Sequence, residues 1–285
     1  MRTRLLAVAA AVPLLLGAPT VAAASAGPAT AVSQSSSNPC GTMTSPSAYT
    51  HVIWVWMENH SYNTIIGSSQ APYINSLATE CGLATNYHNI SHPSLPNYVG
   101  ATSGLGFKAV QKFRSDCNPS KHCSTPAPSI FGQGETWKAY EESMPSNCDP
   151  VNSGEYAVRH NPPPYFTTLQ GCSTFDVPYT HLAADLAGNN LPVIFNSPEY
   201  QNGSTAVFVT WDEGEGGKAK NCTTNTTDVG CQVATIVISP STVPGTTSAT
   251  LFNHYSLLGT AEQLLGLPKL GLASSFPTLT SAFNL

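Results

Sequence analysis

Three runs, His51 to Met57 (HVIWVWM), Thr205 to Trp211 (TAVFVTW) and Val233 to Ser239 (VATIVIS), are apolar without alternation and rich in β-branched and aromatic residues. Such strands must be covered on both faces, which restricts the chain to a sheet held between layers of helix. Helical spacing recurs where that cover is needed. Ala71 to Cys81 carries apolar positions at helical intervals, and Tyr255 to Gly266 places Leu257, Leu258, Ala261, Leu264 and Leu265 on one face before Gly266 and Pro268 stop it. The pattern predicts an α/β fold: a mostly parallel sheet flanked by helices, as one domain over residues 49–285. The segment from Lys112 to Thr180, rich in Pro, Ser, Asn and Cys, reads as long disulfide-tied loop excursions over that sheet.

The N-terminus reads differently. Arg2 and Arg4 precede an apolar stretch ending at Leu16, and small residues at Ala24 to Ala26 fit a cleavage site, so residues 1–26 are predicted to be a secretory signal peptide. The stretch is shorter than the roughly 20 residues a membrane span requires. Residues 27–48 read as a flexible leader. Without Arg2 and Arg4 the basic residues number 9 against 16 acidic ones, and the net charge falls from −5 to −7, which argues against nucleic acid as a partner. An exported chain with eight cysteines, none in a C-x-x-C pair, points to disulfides; the short spacings suggest Cys117–Cys123 and Cys222–Cys231.

Two of the three apolar runs end in polar pairs: Glu58-Asn59 after the first and Asp212-Glu213 after the second. Ligands of open α/β sheets gather outside the carboxyl ends of the strands. Three carboxylates and an amide crowded there would repel unless a cation sat among them. Glu58, Asn59, Asp212 and Glu213 are therefore candidate ligands of a divalent metal ion of unknown identity, with a structural calcium ion as the competing reading. Ser94 stands before Leu95-Pro96 at a predicted helix start, where free N–H groups favour an anion; it is the candidate nucleophile and a further metal ligand, although a capping serine has the same pattern. His160 and His254 are candidates for proton transfer, and His92 is a weaker third. The glycines of DEGEGG suit a tight turn behind Asp212 and Glu213 and do not form a nucleotide-binding loop; H-E-x-x-H and G-x-S-x-G are absent.

MENHSY, HPSLPNYVGATSG, RHNPPPY, VFVTWDEGEGG and NHYSLLGTAEQLLGLP follow one another over residues 50–270. As an ordered set they resemble the secreted phosphoesterase family of acid phosphatases and phosphatidylcholine-type phospholipases C. The resemblance implies an alkaline-phosphatase-like core and hydrolysis of phosphate esters through a metal-bound serine or threonine. It implies Glu58, Asn59, Asp212 and Glu213 as metal ligands, Ser94 as the nucleophile, and active-site roles for His160 and His254. The family pattern also has a strand running into Asn-Asp-x-His-Asp between segments like HLAADLAGNN and LPVIFNSPEY; here Asn190 meets Leu191 directly.

The expectation is a secreted, metal-dependent phosphoesterase acting on phosphate monoesters through Ser94, with no stable membrane anchor. Phospholipase C activity on phosphatidylcholine-type lipids is the first alternative, set second because the polar middle segment offers no visible apolar rim. A secreted, non-catalytic metal-containing binding protein is the other.

Overall fold

The computed structural model describes residues 4–9, 38–134, 136–185 and 192–285. Among the described residues ten strands follow along the chain: β1 (Arg4–Ala9), β2 (His51–Met57), β3 (Gly82–Ala84), β4 (Tyr87–His88), β5 (Thr136–Glu141), β6 (Asp176–Pro178), β7 (Thr205–Trp211), β8 (Thr235–Ile238), β9 (Thr246–Ser248) and β10 (Phe252–Asn253). Among the described residues eight of them form one sheet in the order β6-β5-β1-β2-β7-β8-β3-β9, while β4 and β10 pair separately. The left half through β7 is parallel throughout. β8 runs antiparallel to β7 and β3, which the sequence reading did not anticipate, because an unbroken apolar run says that both faces are covered and nothing about direction.

β2 and β7 coincide with the predicted strands and lie in register, His51 opposite Thr205 and Met57 opposite Trp211. All seven residues of β7 are buried, as are Val52 to Trp56 of β2. Full burial of side chains such as Trp54 and Phe208 contributes about 1.5–3 kcal/mol each. The two anticipated helices form as Pro72–Glu80 and His254–Leu264. Asn253 caps the second: its Oδ1 accepts from Tyr255 N and Ser256 N, and Ser256 Oγ accepts from Asn253 N.

The middle segment holds more regular structure than predicted. β5 and β6 lie inside it, the former hidden by Lys138 and Glu141, which interrupt its apolar pattern. Four disulfides form: the suggested Cys117–Cys123 and Cys222–Cys231, together with Cys40–Cys81 and Cys148–Cys172. Cys40, read as leader, is thereby tied to the end of the Pro72–Glu80 helix and is buried.

β1 occupies the sheet position between β2 and β5, pairing Arg4 with His51 on one side and with Thr136 on the other. It lies within the predicted signal peptide, whose other residues fall outside those described. The junction of Asn190 and Leu191 also lies outside them. Among the described residues no helix is long and apolar enough to cross a membrane.

Candidate active site

The register of β2 and β7 decides what meets at the carboxyl edge. With Met57 opposite Trp211, the next residues, Glu58 and Asp212, leave the sheet side by side, and Asp212 N donates to Met57 O at 3.0 Å. Asn59 adopts a left-handed φ of 51°, which turns its backbone N–H onto Asp212 Oδ1 at 3.0 Å. Its side chain is exposed, and Nδ2 donates to Glu58 Oε2 at 3.0 Å.

Ser94 opens a helix, Ser94–Ser103, all of whose residues are buried. It is the first helical residue, next to the cap position held by Pro93. Its Oγ donates to Glu213 Oε1 at 3.2 Å. Leu95 N, a free donor of the first turn, is taken by Asp116 Oδ1 at 3.0 Å. One turn on, the Tyr98 hydroxyl bonds to Glu58 Oε1. The i, i+4 spacing puts Ser94 and Tyr98 on one face, so a single helix reaches both strand ends.

The histidines divide by role. His92 Nδ1 bonds to Glu213 Oε2, leaving Nε2 without a partner. The DEGEGG turn makes room for that ring: a Cβ on Gly217 would lie 2.1 Å from His92 Nε2, and Gly216 has φ +70°. His160 Nε2 lies 2.9 Å from Glu58 Oε2, yet the approach is too bent for a hydrogen bond and the nitrogen counts as unsatisfied. Burial lowers the His160 pKa to about 4, against the pull of Asp212. His254 is fully buried behind the site. Its Nε2 donates to the Asp212 carbonyl at 2.7 Å, and Nδ1 accepts from Tyr87 at 3.1 Å, with the pKa lowered to about 4 by burial. With both nitrogens engaged, His254 holds Asp212 in place and faces no space a substrate could enter.

The carboxylates carry the electrostatic strain. Burial, then the charge of Glu213, raises Glu58 to about 8 against the Tyr98 hydrogen bond. Asp212, wholly buried, is pushed up by burial and then by Glu58 and Glu213. Its Oδ2 has no hydrogen-bonding partner. An orphaned buried carboxylate oxygen among two further carboxylates and a hydroxyl fits the oxygen chemistry of a hard divalent cation. Three acidic or imidazole ligand atoms do not, however, close to within 4.8 Å here; the two groups that do so among the described residues each include a disulfide pair, Cys222–Cys231 and Cys148–Cys172.

A cleft of about 690 Å³ opens beside Glu58. Trp56, Met57, Ile65, Pro72, Ile74 and Trp211 form apolar wall, Tyr73 stands 56 % exposed at it, and Tyr98, Glu141, Tyr156 and His160 also line it. Ser94, Asp212 and Glu213 lie behind Glu58, outside this lining. Tyr98 and Glu141 escaped the sequence reading. Tyr98 was findable from its spacing to Ser94, whereas Glu141 depended on recognising β5.

An α/β protein that gathers carboxylates, a hydroxyl and imidazoles at the carboxyl ends of parallel strands has the layout of a hydrolytic site for anionic esters. The family model described as Phosphoesterase family matches residues 68–203 and 193–268, and the chain belongs to this family of hydrolases acting on phosphoric ester bonds. It is 28 % identical over 267 residues to a phosphatidylinositol-3-phosphatase of Mycobacterium tuberculosis, with 83 % of each chain covered. To a phosphate-repressible acid phosphatase of Penicillium chrysogenum it is 27 % identical over 265 residues, covering 79 % of this chain and 61 % of that one. Among solved structures, a protein in the alkaline phosphatase superfamily from Vibrio parahaemolyticus aligns with a TM-score of 0.42 and 11 % identity, over 86 % of this chain and 73 % of that one.

Proposed function

We propose that the chain is a secreted, metal-dependent phosphatase that hydrolyses phosphate monoesters with Ser94 as nucleophile. The observation that carries this reading is the convergence of Ser94 Oγ on Glu213 at 3.2 Å beside the unpartnered Asp212 Oδ2. Glu58, Asn59, Asp212, Glu213 and Ser94 would hold the divalent cation. When bound, the cation supplies positive charge that neutralises the carboxylates and stabilises the phosphoryl oxygens.

The protein's own groups do the rest. Ser94 Oγ attacks phosphorus and passes its proton to Glu213, whose other oxygen is held by His92, while the bond to the ester oxygen breaks and that oxygen leaves with the electron pair. Tyr98 orients Glu58, and His254 orients Asp212 through its backbone. Water then hydrolyses the phosphoserine, releasing phosphate and restoring the Ser94 hydroxyl.

The apolar cleft favours a second reading of the substrate. The polar middle segment offers no apolar rim, but the wall from Trp56 to Ile74 together with exposed Tyr73 supplies one. Similarity to the Mycobacterium tuberculosis phosphatidylinositol-3-phosphatase supports a lipid monoester over a lipid diester of the phospholipase C type. Disulfides and an export-type N-terminus support secretion.

The test is phosphate release from p-nitrophenyl phosphate and from vesicles containing phosphatidylinositol 3-phosphate, and phosphocholine release from vesicles of phosphatidylcholine, with and without chelator, for the wild type and Ser94→Ala. Chelator-sensitive hydrolysis lost in Ser94→Ala is expected. Equal, chelator-insensitive background on all substrates would leave the binding-protein reading standing instead.

A further inference from the structure

The helix that carries Ser94 is short of donors at its start. Pro93 and Pro96 have no N–H, so of the four groups a helix start leaves free only those of Ser94 and Leu95 exist here. Asp116 Oδ1 already takes Leu95 N. Glu58, Asp212 and Glu213 crowd the same place. A phosphate monoester brings about two more negative charges near pH 7, which one divalent cation among three carboxylates does not balance. Further positive charge has to come from a side chain.

Arg159 stands where that charge is needed. It lies in the turn Val158–His160, which packs on the Ser94–Ser103 helix through the rings of His160 and Tyr98, 5.7 Å apart. Its Nε is 3.8 Å from Asp116 Oδ2, longer than a hydrogen bond, and the guanidinium, with its five N–H groups, donates to no group among the described residues. Asp116 holds Leu95 N through its other oxygen, so one carboxylate touches both the residue after the nucleophile and Arg159. A phosphoryl group on Ser94 Oγ lies beside Leu95 N, within the swing of a guanidinium that rests on the neighbouring carboxylate. The Arg159 side chain, 38 % exposed, is free to make that move. Its charge already reaches the site: burial raises the pKa of Glu58 and of Asp116 and lowers that of His160, and Arg159 opposes the first two and adds to the third.

We propose that Arg159 binds the phosphoryl oxygens of the substrate, exchanging its resting partner Asp116 for the ester dianion, and so selects monoesters over diesters. This rests on Ser94 being the nucleophile. The planar fork of an arginine meets two phosphate oxygens at once, and a diester, with a single charge, gains less from it. Asp116 and the dianion compete for that one fork.

The test measures how inorganic phosphate inhibits p-nitrophenyl phosphate hydrolysis by the full chain, because an inhibition constant does not depend on the fraction of enzyme that is folded. Arg159→Gln is expected to raise the constant about 10- to 100-fold, the worth of a hydrogen bond to a charged group, and Arg159→Lys to recover part of the loss. The wild-type preference for phosphate over dimethyl phosphate as inhibitor should shrink in Arg159→Gln; an unchanged preference refutes the selection of monoesters. Asp116→Asn suits the left-handed φ of 49° at that position, keeps an acceptor for Leu95 N and removes the competing charge. It should lower the constant about 2- to 5-fold. A merely structural role would lower the melting midpoint and the rate and leave the constants alone. An unchanged constant in Arg159→Gln, or one that Asp116→Asn raises, overturns the proposal. Hydrolysis that survives Ser94→Ala in full sinks the underlying reading instead.

Discussion

The Tyr98 hydroxyl donates to Glu58 Oε1, tying the helix that carries Ser94 to the carboxylate at the end of β2. Tyr98→Phe removes that donor and leaves Glu58 harder to ionise, because the Tyr98 bond opposes the burial that raises its pKa. Metal affinity measured by calorimetry near neutral pH should weaken about 10- to 100-fold, as for other groups that orient a ligand. Unchanged affinity would remove Glu58 from the ligand set.

The metal-free protein should be an acid-stable one. Glu58 titrates near 8 when folded and near 4.5 as its ordinary value, so between those pH values the folded chain holds the extra proton. Stability from this group is present below about 4.5 and is lost as pH rises through 8. Melting after chelation is expected to occur at higher temperature at pH 5 than at pH 8, with a divalent cation restoring the loss at pH 8. The reverse slope without metal would contradict the carboxylate cluster.

Cys40–Cys81 closes a loop of 41 residues. In the chain-entropy account such a link is worth about 4 kcal/mol. Replacing both cysteines by serine should lower the denaturation midpoint accordingly, and a change near zero would mean that residues 38–48 add nothing to the fold.

A chain beginning at residue 27 lacks β1, the strand between β2 and β5. Its melting midpoint should drop by at least about 10 °C relative to the full chain, since each kcal/mol moves a domain of this size by roughly 2–4 °C. The mass of the exported protein tells which form exists outside the cell. Equal melting of the two forms would show that these six residues do not support the sheet.

How far the site could be read in advance depended on how local each signal was. β2 and β7 were legible because burial on both faces demands an unbroken apolar run, and the pairs Glu58-Asn59 and Asp212-Glu213 stood out as charge where such runs stop. Ser94 was legible through the proline that follows it. The direction of β8 was not, since an apolar run has no polarity, and β5 was not, because Lys138 and Glu141 break its pattern. His254, a candidate for proton transfer, bonds to the backbone carbonyl of Asp212, a contact that only its neighbours could decide.

Sequence by itself thus determined the class of fold and the strand ends that carry acid groups, because these follow from periodicity and composition within a dozen residues. Tertiary structure alone decided which groups face one another. The register of β2 on β7 sets Glu58 beside Asp212, one helix turn sends Ser94 and Tyr98 to different carboxylates, and Glu141 lines the cleft with Glu58 while Ser94 lies outside it. These are contacts between residues far apart in the chain, and burial, by removing water from around them, is what gives their charges leverage on one another.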